Sequence, residues 1–305
     1  MKTELISIIM NCYNGEKFIE KSINSIISQD YKNWELIFWN NLSIDKTEDI
    51  YLKLRSKDSR LKYFKSTKHL PLSVARNLAV AKIQGEFIAF LDVDDWWEPF
   101  KLSEQIKLFK DKSIGLVYGN FYVNNFTNKT AIYGFPPQKV KQNEKIVMFN
   151  TKLPEGYILN KLLQRYVIGM MTIIIRRNII EDINNLFDED IETIQDFDLA
   201  IRISKKNKIL CCQKPIAHKR LHENNKINLN RKIIIYEMEF LLNKYRKDLF
   251  YESKYLDEFE QYIILLKCFL YIRQLNFLKF LINFLKLKII KKINFLKLII
   301  FKIYK

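Results

Sequence analysis

Glycine is scarce in this chain, with 7 among 305 residues. A glycine-rich loop that holds phosphate needs several glycines close together, and the sequence contains no such cluster. This absence argues against a nucleotidyltransferase, a class of enzyme that uses an α/β sheet with metal-binding carboxylates.

Cysteine is also rare, and the four residues at positions 12, 211, 212 and 268 have neither paired spacing nor a Cys-x-x-Cys pattern. We therefore expect reduced thiols in a cytosolic setting. A secretory signal is not expected either, because the first apolar run, Leu5 to Met10, is short and is followed by polar residues.

Acidic residues are the minority among the charged ones, so the formal net charge is +17. This imbalance predicts an anionic partner, and composition alone leaves open a membrane surface, nucleic acid or a phosphorylated substrate. The imbalance is largest at the end of the chain, where no Asp or Glu occurs from Gln261 to Lys305.

Three acidic residues follow a short apolar run in the first half of the chain. The run from Phe87 to Leu91 is too brief for a helix and is typical of a buried strand in a parallel sheet. Asp92, Asp94 and Asp95 come directly after it. Ligands bind at the carboxyl ends of strands in open α/β sheets, and three crowded carboxylates suit a hard divalent cation. The alternative is a solvated acidic turn before a helix that Pro99 opens.

The start of the chain predicts a βαβ unit. Leu5 to Met10 and Trp34 to Trp39 have the composition of strands, and a helix is expected after Gly15. Its apolar face contains Phe18, Ile19, Ile23, Ile26 and Ile27. This order implies parallel pairing with a right-handed crossover. Further strands are predicted from Gly115 to Asn125 and from Gly169 to Arg177.

The segment FLDVDDWWEPFKLSEQ resembles the Leu-Asp-x-Asp-Asp signature of family 2 glycosyltransferases. The resemblance extends from Leu5 to about Asn225 and includes SIIMNCYNGEKFIEKSINSIISQ, LPLSVARNLAVAKIQGEF, QDFDL and AHKRLHENN. It implies an inverting enzyme with the GT-A fold, an α/β Rossmann-like, mostly parallel sheet flanked by helices, here with a C-terminal helical extension. The implied catalytic domain is residues 1–225, and residues 226–305 form the helical region.

The resemblance also implies roles for individual residues. Mn²⁺ or Mg²⁺ is expected at Asp94, with Asp95 and His222, although a histidine in a polar loop is often only solvated. The residues implied to bind the nucleotide sugar are Asn14, Asn40, Asn41, Asp45, Arg76, Asp92 and Arg220. Arg76 is expected near a helix start and off the apolar face formed by Val74, Leu78 and Ala81, where its donors could bind diphosphate. An exposed, solvated arginine is the alternative.

Asn40 and Asn41 depart from the family pattern, which usually has two aspartates at this place, one of them bonded to the base. An asparagine can accept a hydrogen bond from the imide of uracil, but its amide also donates, so another base is conceivable. Ser43, Asp45 and Thr47 match the pattern.

Asp196 is the implied general base that takes the proton from the acceptor hydroxyl. Helical spacing places Asp196 and Asp198 in a first turn, where acids complement the helix dipole whether or not they are catalytic. Gln195 stands where the family has a glutamate, so one like charge is missing beside Asp196. The stretch from Phe126 to Val147 predicts a loop over the mouth of the site.

The end of the chain predicts an interfacial helix. One unbroken apolar stripe contains Leu278, Ile282, Leu285, Ile289, Ile293, Leu296, Ile300 and Ile303, and the motif NFLK recurs at Asn276, Asn283 and Asn294. Lysine interrupts every stretch long enough to span a bilayer, which favours a helix lying on an anionic membrane surface. Packing of this helix on the protein or on a second subunit is the alternative.

The resemblance implies transfer of a sugar from a UDP-hexose or UDP-N-acetylhexosamine, and the basic, apolar tail favours a glycan or lipid-linked acceptor. The predicted location is cytoplasmic and peripheral, on the inner face of the plasma membrane. A basic binding protein without catalysis is a further alternative. Nucleic acid is not expected as a partner, because the positive charge is concentrated in the apolar-striped tail rather than in a recognition motif.

Overall fold

The computed structural model describes residues 4–133, 138–182, 185–223, 231–248, 250–293 and 295–296. Unit 1 contains Met1–Ile158 and Val167–Asn225, and unit 2 contains Leu159–Tyr166 and Lys226–Lys305. The sequence did not indicate that a segment from the middle of the chain belongs with the C-terminal region. The assignment of catalysis to residues 1–225 and of membrane association to residues 226–305 stays a prediction.

Unit 1 is organised around one sheet. The strands of the chain are β1 (Ile6–Cys12), β2 (Trp34–Asn40), β3 (Leu61–Lys65), β4 (Phe87–Phe90), β5 (Trp96–Trp97), β6 (Ile114–Asn125), β7 (Ala131–Tyr133), β8 (Gln138–Val140), β9 (Lys145–Val147), β10 (Ile174–Arg176) and β11 (Lys208–Leu221). The order across the sheet is β3-β2-β1-β4-β10-β6-β11-β5, with β9 beside β6, while β7 and β8 pair separately. Strands β1, β2, β3, β4, β6 and β11 run in one direction, and β5, β9 and β10 run in the other.

The helices are α1 (Ile19–Ile27), α2 (Thr47–Arg55), α3 (Leu72–Val80), α4 (Lys101–Ile106), α5 (Leu159–Gln164), α6 (Ile179–Asp182), α7 (Gln195–Ser204), α8 (Arg231–Arg246), α9 (Ser253–Arg273) and α10 (Phe277–Lys286). Helices α5, α8, α9 and α10 belong to unit 2. The predicted βαβ unit is confirmed, since β1 and β2 pair in parallel around α1. Ile19, Ile23 and Ile26 of α1 are completely buried, as their helical spacing predicts.

The central strands are buried because most of their residues are apolar, on both faces of the sheet. Every residue of β2 and of β4 is buried, the pattern expected of strands that are covered on both sides. The first acidic residue, Asp92, therefore follows the carboxyl end of a strand in the middle of the sheet. All four cysteines are free and buried.

One local prediction around the acidic segment was wrong, and one strand beside it was not predicted. Helix α4 begins at Lys101, so Pro99 lies in the turn before it rather than in its first turn. Trp96 and Trp97 form strand β5, which pairs antiparallel with β11. The sequence did not predict this pairing, because two adjacent aromatic residues are too short a signal for a strand. This pairing brings the residues after His218 beside the acidic segment.

Two further predictions were too coarse. Within the predicted strand from Gly169 to Arg177, residues Met170–Thr172 form a 3-10 helix and Ile174–Arg176 alone form β10. The predicted loop from Phe126 to Val147 contains the short strands β7, β8 and β9. Strands of 3 residues are too short to leave a period in the sequence.

Unit 2 contains a helical hairpin of α9 and α10. Its core consists of Ile264, Cys268, Leu287 and Phe295, against which Phe280 and Phe284 of α10 pack. The predicted unbroken stripe is wrong as a single helix, because α10 ends at Lys286 and residues 289–293 are helical again after an interruption. Lys288 lies in this interruption, and its backbone N–H donates a hydrogen bond to the side-chain oxygen of Gln261 at 2.7 Å.

An apolar and exposed face runs along Leu275, α10 and the helical residues 289–293. We call this the outer apolar face; it contains Leu275, Leu278, Leu281, Ile282, Leu285, Ile289, Ile290 and Ile293. No helix among the described residues is both long enough and apolar enough to span a membrane. Some residues of the sequence predictions lie outside the described residues, namely Met1, Pro136, Pro137, Asn225, Asn294, Ile300 and Ile303.

Candidate active site

Three carboxylates meet at the carboxyl end of β4. One ligand atom each from Asp92, Asp94 and Asp95 lies within 4.8 Å of the others. Their accessibility differs sharply: the side chain of Asp92 is 35% exposed, that of Asp94 20% and that of Asp95 0%. An incoming ligand can therefore reach Asp92 and Asp94, whereas Asp95 lies beneath them.

Asp94 is bonded to His222, whose Nε2 lies 3.1 Å from Oδ2 of the carboxylate. Burial opposes ionisation of Asp94, but Lys219 and the hydrogen bond with His222 outweigh it and lower its pKa to about 2. Arg220 contributes a hydrogen bond from Nε to the backbone carbonyl of Asp94 at 2.8 Å. The structure thus brings together Asp94, Arg220 and His222, which are far apart in the sequence.

Asp95 is held by β11. Its Oδ2 accepts from the ammonium of Lys219 at 3.0 Å, and its Oδ1 accepts from the backbone N–H of Arg220 at 2.9 Å. Burial raises the pKa of Asp95, and the ammonium of Lys219 opposes that effect. Sequence reasoning missed Lys219. Its only signal was its position beside Arg220 in the segment matched to the family.

Arg76 links the acids to α7. One terminal nitrogen donates to Oδ1 of Asp92 at 2.7 Å, and the other donates to Oε1 of Gln195 at 2.8 Å. Because Gln195 is the first residue of α7, this one guanidinium fixes the start of that helix beside the acidic cluster. A lysine could not do the same, since it offers one point charge rather than a fork.

The predicted orientation of α3 was wrong. The helix buries Ser73, Ala75, Arg76, Ala79 and Val80, while Leu78 is exposed. Arg76 therefore lies on the buried face, and the alternative of a solvated arginine is excluded. The apolar spacing failed here because a paired charge, not an apolar side chain, occupies the inner face.

Asp196 occupies the first turn of α7, as predicted. One of its oxygens accepts from the backbone N–H of Phe197 at 2.9 Å. Burial raises the pKa of Asp196 to about 6, while the positive charge of Arg76 opposes the shift. A carboxylate with such a pKa is ionised near neutral pH and is more basic than an ordinary aspartate, which suits a general base.

Asn14 and Asp45 join two loops at the same edge of the sheet. The Oδ1 of Asn14 accepts from the N–H of Ile44 at 2.9 Å. Asp45 accepts from the N–H of Glu16 at 3.0 Å and from the N–H of Thr47, also at 3.0 Å. These bonds connect the turn before α1 to the turn before α2, so both side chains shape the loops around the site.

Asn40 and Asn41 are buried, and their amides bond within the protein. The Oδ1 of Asn40 accepts from the N–H of Ser43 at 2.8 Å, and its Nδ2 donates to the hydroxyl of Tyr63 at 2.9 Å. Asn41 donates to the carbonyl of Leu70 at 2.8 Å and accepts from its N–H at 3.1 Å. Contact of either amide with a base stays a prediction.

Tyr13 and His69 form an aromatic pair that sequence reasoning missed. Their ring centroids are 4.3 Å apart, and Nδ1 of His69 lies 3.1 Å from the backbone oxygen of Asn41. Tyr13 follows β1 and is exposed. The pair offers a stacking surface at the edge of the sheet where Asn14 and Asn41 also lie.

The donor set fits a divalent cation. Asp92 and Asp94 present partly exposed carboxylate oxygens, which are the ligands that Mg²⁺ and Mn²⁺ prefer. Asp95 already bonds Lys219 and Arg220, so it supports the cluster from below.

Comparison with known proteins identifies relatives. The family model for glycosyl transferase family 2 matches residues 7–180. The chain is 34% identical over 210 residues to the Escherichia coli UDP-Glc:alpha-D-GlcNAc-diphosphoundecaprenol beta-1,3-glucosyltransferase WfgD, covering 68% of this chain and 73% of that protein. It is 28% identical over 202 residues to the putative teichuronic acid biosynthesis glycosyltransferase TuaG of Bacillus subtilis, covering 66% and 73%.

Solved structures show the same fold. TarS 1-349 of S. aureus, in complex with UDP, aligns with a TM-score of 0.57 at 20% identity and covers 90% of this chain and 88% of its own. The mannosyltransferase PcManGT from Pyrobaculum calidifontis, in complex with GDP-Man and Mn²⁺, aligns with a TM-score of 0.60 at 16% identity, covering 85% and 70%. The predicted GT-A fold is confirmed.

Proposed function

This chain belongs to glycosyl transferase family 2, and from that premise we propose that it moves a hexose or N-acetylhexosamine from a UDP-sugar to a hydroxyl of a lipid-linked or cell-surface glycan. One observation carries the proposal. Arg76 bonds both Asp92 and Gln195, which joins the acidic cluster to the helix that bears Asp196. A group that binds the leaving diphosphate and a group that activates the acceptor thus belong to one bonded network.

The donor diphosphate lies against Asp92, Asp94, Arg76 and Arg220 in this proposal. Asp94, with Asp92, would hold a Mn²⁺ or Mg²⁺ ion, which would neutralise the charge that develops on the leaving diphosphate. His222 orients Asp94 through their hydrogen bond. Arg76 and Arg220 add fixed positive charge on the protein side.

The base of the donor stacks on the exposed ring of Tyr13, supported by His69. Uridine is favoured because UDP-Glc appears in the name of the Escherichia coli relative and UDP in the TarS complex. Asn40, Asn41, Asn14 and Asp45 shape the loops that form this pocket.

Asp196 accepts the proton from the acceptor hydroxyl as that oxygen attacks the anomeric carbon opposite the diphosphate. The new bond forms while the bond to the diphosphate breaks, so the configuration inverts without a covalent enzyme intermediate. The acceptor we infer is a sugar attached to a lipid through a diphosphate, which is the acceptor in the name of WfgD.

Membrane association belongs to the same proposal. The outer apolar face of unit 2 is flanked by Lys279, Lys286 and Lys292, and each lysine near an anionic surface contributes about 1 kcal/mol. Lys288 and Lys291 bond Glu258 instead, at 2.9 Å and 3.5 Å. We infer a peripheral enzyme on the cytoplasmic face of the plasma membrane.

The activity test measures release of nucleoside diphosphate from UDP-glucose, UDP-galactose and UDP-N-acetylglucosamine, with Mn²⁺ or with EDTA, in the presence of a GlcNAc-diphosphoryl-alkyl acceptor. We expect turnover of one donor that needs metal and falls by about a thousandfold in Asp94→Ala. The matched control is Asp49→Ala, an exposed aspartate on α2 that is expected to retain wild-type activity. Turnover that persists in EDTA and in Asp94→Ala would refute the metal role.

The membrane test is sedimentation of the full chain with phosphatidylglycerol vesicles and with phosphatidylcholine vesicles. Replacing Leu278 and Leu285 by glutamate should abolish binding to the anionic vesicles, because it places charge on the outer apolar face. The control replaces two exposed aliphatic residues of unit 1, Ile44 and Leu52, in the same way. Equal binding by both double variants would show that this face does not contact the membrane.

A further inference from the structure

Two cations share one indole ring near the acidic cluster. The ammonium of Lys21, on α1, lies 3.5 Å from the ring centroid of Trp96. The guanidinium carbon of Arg220 lies 4.8 Å from the same centroid. Both also approach the ring of Phe126, at 6.0 Å and 5.0 Å. Two positive charges near one ring repel each other, and an anion bound close to both would relieve that repulsion.

Lys21 has no acidic partner in the described part of the chain. Burial and then the positive charge of Arg220 lower the pKa of Lys21. Arg220 donates from its backbone N–H to Asp95 and from Nε to the carbonyl of Asp94. Its two terminal nitrogens donate to no residue that the structure describes, so they remain for a ligand.

The aromatic stack continues from Trp96 of β5 to His218 of β11 and Tyr122 of β6. Trp96 stacks on His218 with centroids 4.6 Å apart, and His218 stacks on Tyr122 at 4.8 Å. The ammonium of Lys145 lies 4.4 Å from the centroid of Tyr122. Glu98 is the acid in this row, and its carboxylate is bonded to Nε2 of His218 at 2.8 Å. His218 is buried between these rings, so the stack supports the ring of Trp96, and Phe126 is the exposed ring beside it. Rings flanked by cations suit a ligand that carries both sugar and phosphate.

We propose that Lys21, together with one terminal nitrogen of Arg220, binds a phosphate group of the acceptor, next to the sugar that receives the new residue. The other terminal nitrogen of Arg220 is left for the donor diphosphate. This inference rests on the proposed function and adds residues for the acceptor side. A phosphate has several oxygens, so it can accept charge-assisted hydrogen bonds from both cations at once. Lys21 contacts the rings of Trp96 and Phe126 and forms no ion pair with the carboxylates in the described residues, so it is not part of the cluster that we assign to the donor diphosphate.

The test compares two synthetic acceptors that differ only in the diphosphate, GlcNAc-α-diphosphoryl-alkyl and GlcNAc-α-O-alkyl. Initial rates are measured for wild type, Lys21→Met, Lys21→Arg and Lys17→Met. We expect the ratio of kcat/KM for the diphosphoryl acceptor to that for the neutral acceptor to fall about tenfold in Lys21→Met, the effect of one charge-assisted hydrogen bond. Lys21→Arg should retain most of the ratio. Lys17, an exposed lysine of the preceding turn, is the matched control and should leave it unchanged.

The outcomes distinguish failure of the phosphate site at Lys21 from failure of the proposed glycosyl transfer. An unchanged ratio in Lys21→Met overturns the proposal. A rise in donor KM with equal loss on both acceptors also overturns it, because the phosphate at Lys21 would then belong to the donor. If wild type transfers to neither acceptor, the proposed function fails. Calorimetric titration of the diphosphoryl acceptor still decides the site: weaker binding to Lys21→Met supports it, and equal binding refutes it.

Discussion

The acidic cluster of unit 1 and the outer apolar face of unit 2 depart from the usual distribution of residues in opposite directions. In unit 1, charged side chains are buried: Asp95 is inaccessible, and Lys219 and Arg76 are nearly so. In unit 2, large apolar side chains are exposed, among them Leu278 at 71% and Leu285 at 65%. Soluble proteins usually bury large apolar side chains and expose charged ones.

The two departures differ in how they are compensated. A buried charge is costly unless it is paired, and Asp92, Asp95 and Arg76 are each bonded to a side chain of unit 1. Exposed leucine and isoleucine have no comparable compensation in the described residues, and we propose that the membrane surface covers this contiguous apolar face. The charges of the first region are therefore paired within unit 1, whereas the second region depends on the contact that we propose.

The largest effect is expected at Asp196. Asp196→Asn removes the group that accepts the proton, so kcat should fall about a thousandfold. The melting temperature should stay equal or rise, because burial raises the pKa of Asp196 and the folded state therefore disfavours its ionised form. Initial-rate assays measure kcat, and thermal unfolding measures the melting temperature. The control is Asp190→Asn, at an exposed aspartate before α7. Loss of activity in this control would show that the effect is not specific to Asp196.

A second effect is expected at the bridge between Asp92 and Gln195. Arg76→Lys keeps the charge but cannot bond both partners, so kcat/KM should fall about a hundredfold through misplacement of α7. Arg55→Lys, at an exposed arginine of α2, should behave as wild type. Near-normal activity in Arg76→Lys would mean that positive charge alone, without the fork, is sufficient.

The pH dependence gives a third prediction. The carboxylate of Asp196 must be ionised to accept a proton, and its pKa is raised to about 6 by burial. Activity should therefore be constant above this pH and fall about tenfold per unit below it. Measuring kcat/KM between about pH 5 and pH 8, with thermal unfolding at each pH, separates titration from loss of structure. If activity instead fell with a pKa of about 4, the ordinary value for an aspartate, the assignment of Asp196 as general base would be contradicted.

The smallest effect concerns a buried polar group without a partner. Lys101 is completely buried, which lowers its pKa well below the usual range, and its Nζ has no hydrogen-bond partner in the described residues, lying 4.1 Å from the ring centroid of Trp97. Lys101→Met fills the same space without the polar group and should stabilise the protein by about 1–2 kcal/mol. Chemical denaturation measures the change. Lys107→Met, at an exposed lysine of the same segment, should change stability by less than about 0.5 kcal/mol.

The acidic strand, the βαβ start and the first turn of α7 were predictable because each has a local signal. An apolar run followed by acids indicates a strand end, and helical spacing after two acids indicates a helix start. These signals located Asp92, Asp94 and Asp196 without any knowledge of contacts. The orientation of α3 was not predictable, because its inner face carries the paired charge of Arg76 instead of apolar residues.

The sequence by itself therefore determined the order of the elements, the position of the acids and the apolar character of the tail. Tertiary structure decided which charges meet. Lys219 and His222 reach Asp95 and Asp94 because Trp96 and Trp97 pair with β11, and strand pairing between distant segments has no local signature. It also decided that Phe280 and Phe284 pack inward while Leu278 and Leu285 stay exposed, since spacing defines faces of a helix but not what covers them.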